Sequence, residues 1–217
     1  MLIATVGQKG GTGKSSLARL IAVELVRNGY ETLVADLDHQ QQTTHRWAQR
    51  RAEAGFGPPV DVRPYRTTGE LSAALSAPDA PDAVVADGAP HATEATAWLA
   101  RRAALTVVPT GQSLDDLEPS VSLALELVAA GVDQRRVIFA VTRSTGSMPE
   151  LLSTRRSIRD AGFAVAYAHL PMSTAYAQAQ DAGHTVAETR YATLNERADR
   201  LAQELFDHLQ EASRGEA

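Results

Sequence analysis

Residues 3–16, Ile3-Ala4-Thr5-Val6-Gly7-Gln8-Lys9-Gly10-Gly11-Thr12-Gly13-Lys14-Ser15-Ser16, decide how this chain is read. The apolar run at 2–6 is short and continuous, the pattern of a buried strand. It breaks into a glycine-rich turn, and Leu17-Ala18-Arg19-Leu20-Ile21-Ala22 resumes as a helix. A strand, a glycine loop and a helix opening on Gly-Lys-Ser make a cradle for a polyphosphate. Gly10, Gly11 and Gly13 let the backbone around Thr12 curl so that successive N–H groups point inward. The helix start adds unpaired N–H donors and the positive end of its dipole. Lys14 then reaches the β- and γ-phosphates, and Ser15 binds Mg²⁺ through its hydroxyl.

A second observation marks the same turn. Of 21 Lys plus Arg residues only two are lysine, Lys9 and Lys14. The bulky planar fork of arginine cannot stand in for a compact ammonium threaded among phosphates.

The strict phosphate-loop pattern G-x-x-x-x-G-K-[ST] has glycine where this chain has Gln8. The form Lys9-Gly10-Gly11-Thr12-Gly13-Lys14-Ser15 resembles instead the deviant Walker A loop of the ParA/MinD family of ATPases. That resemblance implies an extra lysine, here Lys9, acting across a dimer interface.

The remainder of the chain fits one α/β domain over 1–217, a three-layer α/β/α nucleotide-binding fold around a mostly parallel sheet of about seven strands. Strands are expected near 2–7, 32–37, 60–64, 83–87, 104–108, 136–142 and 165–169. Helices are expected near 14–29, 41–54, 69–76, 92–102, 115–130, 149–161, 173–181 and 191–212, with residues 213–217 frayed. The chain has no cysteine, which excludes disulfides, thiolate metal sites and cysteine-held iron–sulfur clusters, and with them the nitrogenase iron protein branch of the same superfamily. The first apolar run lacks a basic leader, and nothing approaches the length of a membrane span, so a cytoplasmic location is expected. Net charge is −5, so nucleic acid would have to meet a local arginine patch.

In open parallel sheets ligands bind beyond the carboxyl ends of the strands. Asp36 and Asp38 end the second predicted strand and Asp87 ends the fourth, so all three are expected to converge on the loop. Asp87 reads as a Walker B aspartate serving Mg²⁺ directly or through water. The segment Asp36-Leu37-Asp38-His39-Gln40 resembles the family's Walker A′ motif, which implies that Asp38 orients the attacking water and Asp36 lies nearer the metal. The family has proline where this chain has His39, read as a surface residue. Gly88-Ala89-Pro90 is expected to be a mobile loop sensing the γ-phosphate.

The resemblance extends, more thinly, to the base end of a nucleotide. Val141-Thr142-Arg143 is similar to a strand tip that flanks adenine, and His169-Leu170-Pro171-Met172 to a loop closing on the base. Arg143 and Pro171 are the residues so implied, and Ser16 is implied at the α-phosphate. The segment at 107–113 resembles a dimerising segment of small ParA-type proteins. No N-K-x-D guanine motif is present.

The small ParA type (ParF-like, without an N-terminal DNA-reading domain) implies an ATP-dependent homodimer. By that resemblance the dimer is expected to bind non-specific DNA on the nucleoid, to segregate a plasmid or chromosome region or position a cargo, and to be stimulated by a ParB-type or adaptor partner. Arg155, Arg156 and Arg159 form one candidate DNA-contacting set, and Arg190, Arg197 and Arg200 another. The C-terminal stretch is acidic, which speaks against anionic lipid. The rival reading is an ATP-dependent ligase of the dethiobiotin synthetase type, which shares the fold; the sequence offers no second polar constellation for its substrate.

Overall fold

The first strand is apolar on both sides and can be satisfied only at the centre of a sheet covered twice. The computed structural model, which describes residues 1–38, 41–90 and 94–214, places it there. The strands are β1 (Leu2–Gly7), β2 (Thr32–Asp36), β3 (Asp61–Pro64), β4 (Ala83–Pro90), β5 (Leu105–Thr110), β6 (Val137–Ser144) and β7 (Ala164–Pro171). The helices are α1 (Lys14–Arg27), α2 (Thr43–Glu53), α3 (Thr68–Leu75), α4 (Glu94–Arg102), α5 (Leu114–Ala129), α6 (Met148–Asp160), α7 (Thr174–Asp181) and α8 (Ala192–Arg214). The strands form one sheet in the order β3-β2-β4-β1-β5-β6-β7, and every described pairing is parallel.

Alternation along β1 feeds two cores. Ile3 joins Leu17, Leu20, Leu201 and Leu205 beneath α1 and α8. Leu2, Ala4 and Val6 join Leu99, Leu123 and Phe139 on the opposite face, beneath α4 and α5. Helix α8 carries its buried residues, Ala198, Leu201, Ala202, Leu205, Leu209 and Ala212, at helical spacing. Each large apolar side chain so buried contributes about 1.5–3 kcal/mol.

The connections leave β1 toward β2 on one side and cross from β4 to β5 on the other. The crevice at this reversal, beyond the carboxyl end of β1, is where such sheets place ligands.

The predicted elements all occur, with shifts of a few residues at their ends. One difference matters. The mobile loop expected from Gly88 is instead the end of β4, which runs to Pro90. A Cβ on Gly88 would lie 2.6 Å from the Thr5 carbonyl oxygen, so the glycine serves a close approach of β4 to β1. The tail also differs, because Ser213 and Arg214 complete α8. His39, Gln40, residues 91–93, on which the expected start of the 92–102 helix falls, and the C-terminal residues 215–217 lie outside the described residues.

A second structural anchor is Arg51 on α2, only 1% exposed. Its five N–H donors are all engaged. Nε donates to Pro58 O, Nη1 to Gly183 O and Glu188 Oε2, and Nη2 to Gly57 O and Glu188 Oε1.

Candidate nucleotide site

Gly11 and Gly13 have φ of +75° and +102°, the left-handed region where glycine carries no steric cost. Tip residues of β6 hold the outer side of this loop. Thr142 Oγ1 donates to Thr12 O at 2.6 Å, and Arg143 Nη1 donates to Gly11 O at 3.2 Å. With these carbonyls drawn outward, the loop keeps its N–H side for the cleft. The first α1 hydrogen bond, Leu17 N to Gly13 O at 3.0 Å, starts the helix directly from the loop.

Lys14 is 7% exposed and donates from Nζ to Lys9 O at 2.9 Å, spanning the loop. Burial pulls its ammonium below the ordinary lysine range, while Asp87 and Asp38 oppose that shift. A cation desolvated among backbone donors is arranged for an anion. The cleft encloses about 220 Å³ between Gly10, Gly11, Gly13, Lys14, Ser15 and Ser16 on one side, and Asp38, Gln41, Thr43, Gly88 and Pro90 on the other.

The carboxylates divide their tasks. Asp36 and Asp87 are register neighbours on β2 and β4, and both are buried. Asp36 Oδ1 accepts from Asp38 N at 3.1 Å, and Oδ2 accepts from Thr44 N at 3.1 Å and His45 N at 3.0 Å. It therefore fastens the β2 exit to the start of α2. Burial raises its pKa, and those backbone donors counter the shift.

Asp87 is 2% exposed. Its Oδ2 accepts from Thr44 Oγ1 at 2.6 Å, whereas Oδ1 is buried without a hydrogen-bond partner. Burial pushes its pKa up to about 6, against the lowering influence of the Thr44 and Ser15 hydroxyls. An orphaned anionic oxygen beside the Ser15 hydroxyl is the environment a hard, oxygen-seeking cation satisfies. The described residues contain no group of three or more His, Asp or Glu able to hold a metal alone, so phosphate oxygens and water would complete such a shell. Asp38 lines the cleft, with Oδ1 accepting from Gln41 N at 3.1 Å.

Lys9 belongs to the loop but does not line the cleft. Its ammonium donates to Asp115 O and lies 3.5 Å from Asp116 Oδ1, both in the first turn of α5. Arg143 reaches the loop at Gly11, and Pro171 ends β7, where Met172 N donates to Ser144 O at 2.9 Å. Neither Arg143 nor Pro171 lines the loop cleft.

Several residues here fall outside the motifs read in the sequence. Thr44 and Arg19 belong to the Asp87 network. Arg19, Arg46 and Arg50 line a further cleft of about 440 Å³, shared with Gly11, Ser15 and Ser16 and walled by α2 and α7. A lone cation in the apolar run of α1 is the one mark that singles out Arg19.

Comparison with known proteins agrees with this geometry. The family model "CobQ/CobB/MinD/ParA nucleotide binding domain" matches residues 3–189. Solved structures share the fold. The Pyrococcus furiosus cell division ATPase MinD superposes with a TM-score of 0.74 at 16% identity, over 95% of this chain and 98% of that one. The septum site-determining protein MinD of Pyrococcus horikoshii, complexed with Mg-ADP, gives 0.72 at 15% identity, over 94% of each chain. The ParA of pNOB8, bound to nonspecific DNA, gives 0.60 at 14% identity, over 95% and 98%. No curated protein matches the chain. The expected ATP hydrolase, with Mg²⁺ as its cofactor, agrees with these relatives. On its phosphate loop, its sheet and this match over most of its length, the chain belongs to the CobQ/CobB/MinD/ParA nucleotide-binding family.

Proposed function

We propose that this chain is a Mg²⁺-dependent ATPase that dimerises with ATP and, as the dimer, holds non-specific DNA to segregate DNA or position a cargo. One observation carries the reading: the cleft at the β1 exit gathers Lys14, Ser15 and Asp38, while a second ammonium from the same loop, Lys9, is held outside it by a partly exposed contact with α5. Lys14 and the loop N–H groups bind the β- and γ-phosphates, and Ser16 sits at the α-phosphate. Ser15, with Asp87 behind it, would hold Mg²⁺, which neutralises phosphate charge when bound, and Asp36 would serve the metal side indirectly, by fixing the start of α2 through its backbone N–H contacts. Asp38 orients the attacking water. Lys9 leaves α5 to neutralise charge on the neighbouring subunit's nucleotide. Arg143 and Pro171 flank the base.

The DNA-facing arginines differ from the two sets drawn from the sequence. Arg155 is 1% exposed, stacked on Tyr167 at 4.6 Å and donating to Tyr167 O, so it does not belong to an open face with Arg156 and Arg159. It borders instead a cleft of about 550 Å³ that includes Arg197 and Arg200. Arg156 stays exposed in a 3.6 Å pair with Asp160, and Arg190 stacks on Tyr191. Arg197 and Arg200 are the stronger DNA candidates, because they share one cleft. No described helix is long and apolar enough to cross a membrane.

Sedimentation with ATP, a slowly hydrolysed ATP analogue and ADP, with and without duplex DNA, tests the proposal. Dimer and DNA retention with triphosphate alone supports it. A monomer under all three conditions, or turnover that requires a small carboxylic acid or amine as a ligase would, overturns it.

A further inference from the structure

We propose that Thr44, held by Arg19, is the positioning residue for the Asp87 carboxylate, fixing which of its oxygens is left for the metal side of the nucleotide cleft. The proposal rests on the reading of Asp87 as the metal-side carboxylate.

Proton accounting leads to it. Thr44 is fully buried, with its Oγ1 3.1 Å from Arg19 Nε and 2.6 Å from Asp87 Oδ2. A guanidinium has donors only, so Nε–H points into Oγ1. The single hydroxyl proton is thereby directed to Asp87 Oδ2. Oδ1 remains as the buried oxygen with no hydrogen-bond partner. Had Arg19 been absent, the hydroxyl would be free to rotate and the carboxylate to turn.

Arg19 is itself fixed from several sides. It is 6% exposed, its Nη1 donates to Gln180 Oε1 at 2.9 Å on α7, and its guanidinium lies 5.5 Å from the centre of the Trp47 ring on α2. Trp47 is held in turn by Nε1 donating to His184 O at 2.9 Å. The Thr44 backbone is anchored independently, with its N–H on Asp36 Oδ2 at 3.1 Å. One residue thus touches both buried aspartates, through the main chain on one and the hydroxyl on the other. It sets the two acids in register at the β2 and β4 exits. Groups that orient a metal-side ligand without touching the metal are worth about 10–100-fold in its affinity when removed.

The test compares ADP affinity by calorimetry in Mg²⁺ and in EDTA, for the wild type and for Thr44→Val, Thr44→Ser and Arg19→Lys. Wild-type protein is expected to bind ADP more tightly with Mg²⁺. Thr44→Val keeps the shape without the hydroxyl and is expected to lose about tenfold of that Mg²⁺-dependent gain. Its affinity in EDTA should stay within about twofold of wild type, since the phosphate loop is untouched. Thr44→Ser should restore the gain. Arg19→Lys, which replaces the rigid fork that reaches Thr44 from Nε and Gln180 from Nη1 by one compact ammonium, should lose part of it, and this variant decides the question if Thr44→Val does not fold. Either variant keeping the full gain, Thr44→Ser failing to restore it, or equal losses in Mg²⁺ and EDTA would overturn the proposal. A wild type that gains nothing from Mg²⁺ would instead remove the metal-side reading of Asp87 beneath it.

Discussion

Lys9 is paired with Asp116 of its own chain, at 3.5 Å across the gap between the phosphate loop and α5. Both side chains are partly exposed, 43% and 33%, so the pair contributes roughly 0.5 kcal/mol or less. Such a contact is weak enough to be exchanged for a triphosphate on a neighbouring subunit. Asp116 is expected to restrain Lys9 in the monomer. Asp116→Ala should shift ATP-dependent dimerisation to lower protein concentration in sedimentation velocity, while Lys9→Ala should abolish it. Unchanged dimerisation in Lys9→Ala would remove Lys9 from the interface.

In the proposed reading Lys14 is the chain's own cation for the phosphates. Lys14→Ala removes a desolvated charge-assisted donor and should weaken ADP binding by about 2–3 kcal/mol, on the order of 100-fold, by calorimetry. Lys14→Arg should not rescue it, because the guanidinium does not fit where an ammonium spans the loop to Lys9 O. Tight binding by either variant would contradict this.

The Arg51–Glu188 pair predicts a pH dependence. Burial alone would raise the Glu188 carboxyl, but hydrogen bonds from Arg51 and from Thr185 N outweigh it and hold the pKa below the ordinary glutamate range. A carboxylate depressed in the fold stabilises above its unfolded pKa, and that contribution is lost as pH falls through the folded value. Thermal midpoints should therefore drop on acidification below about pH 4.5, and Glu188→Gln should flatten that slope. At neutral pH the substitution leaves a buried guanidinium without its counter-charge and should cost about 3 kcal/mol in denaturant unfolding.

Gly88 separates a close approach from a hinge. Gly88→Ala places a Cβ against the Thr5 carbonyl and should destabilise the nucleotide-free protein by about 1–3 kcal/mol. Were Gly88 a hinge in a loose loop, the same change would be neutral or slightly stabilising.

DNA contact through Arg197 and Arg200 predicts a particular salt dependence. Substituting both with alanine should reduce the slope of log affinity against log salt by about 2, uniformly across sequences, in the triphosphate state. An unchanged slope would assign the phosphate contacts elsewhere.

The phosphate loop was legible residue by residue because its chemistry is local. Glycines, two ammoniums and a hydroxyl stand within a few positions of one another, and the left-handed Gly11 and Gly13 shape the turn that Thr142 and Arg143 of β6 then hold from outside. The parallel sheet was equally legible, since apolar runs alternating with helical periods leave few other ways to cover both faces of β1. Asp36, Asp38 and Asp87 could be assigned to the strand exits for the same reason, though not their separate tasks. Sequence determined the loop, the layers and the end of the sheet that would bind. Tertiary structure alone decided which Asp87 oxygen is bare, that Arg19 and Thr44 stand behind it, that Gly88 is a point of contact, and that Arg155 is buried on Tyr167. Each of these depends on where a side chain from one element meets an atom from another many residues away. Packing sets such meetings, and no local pattern of residue types encodes them.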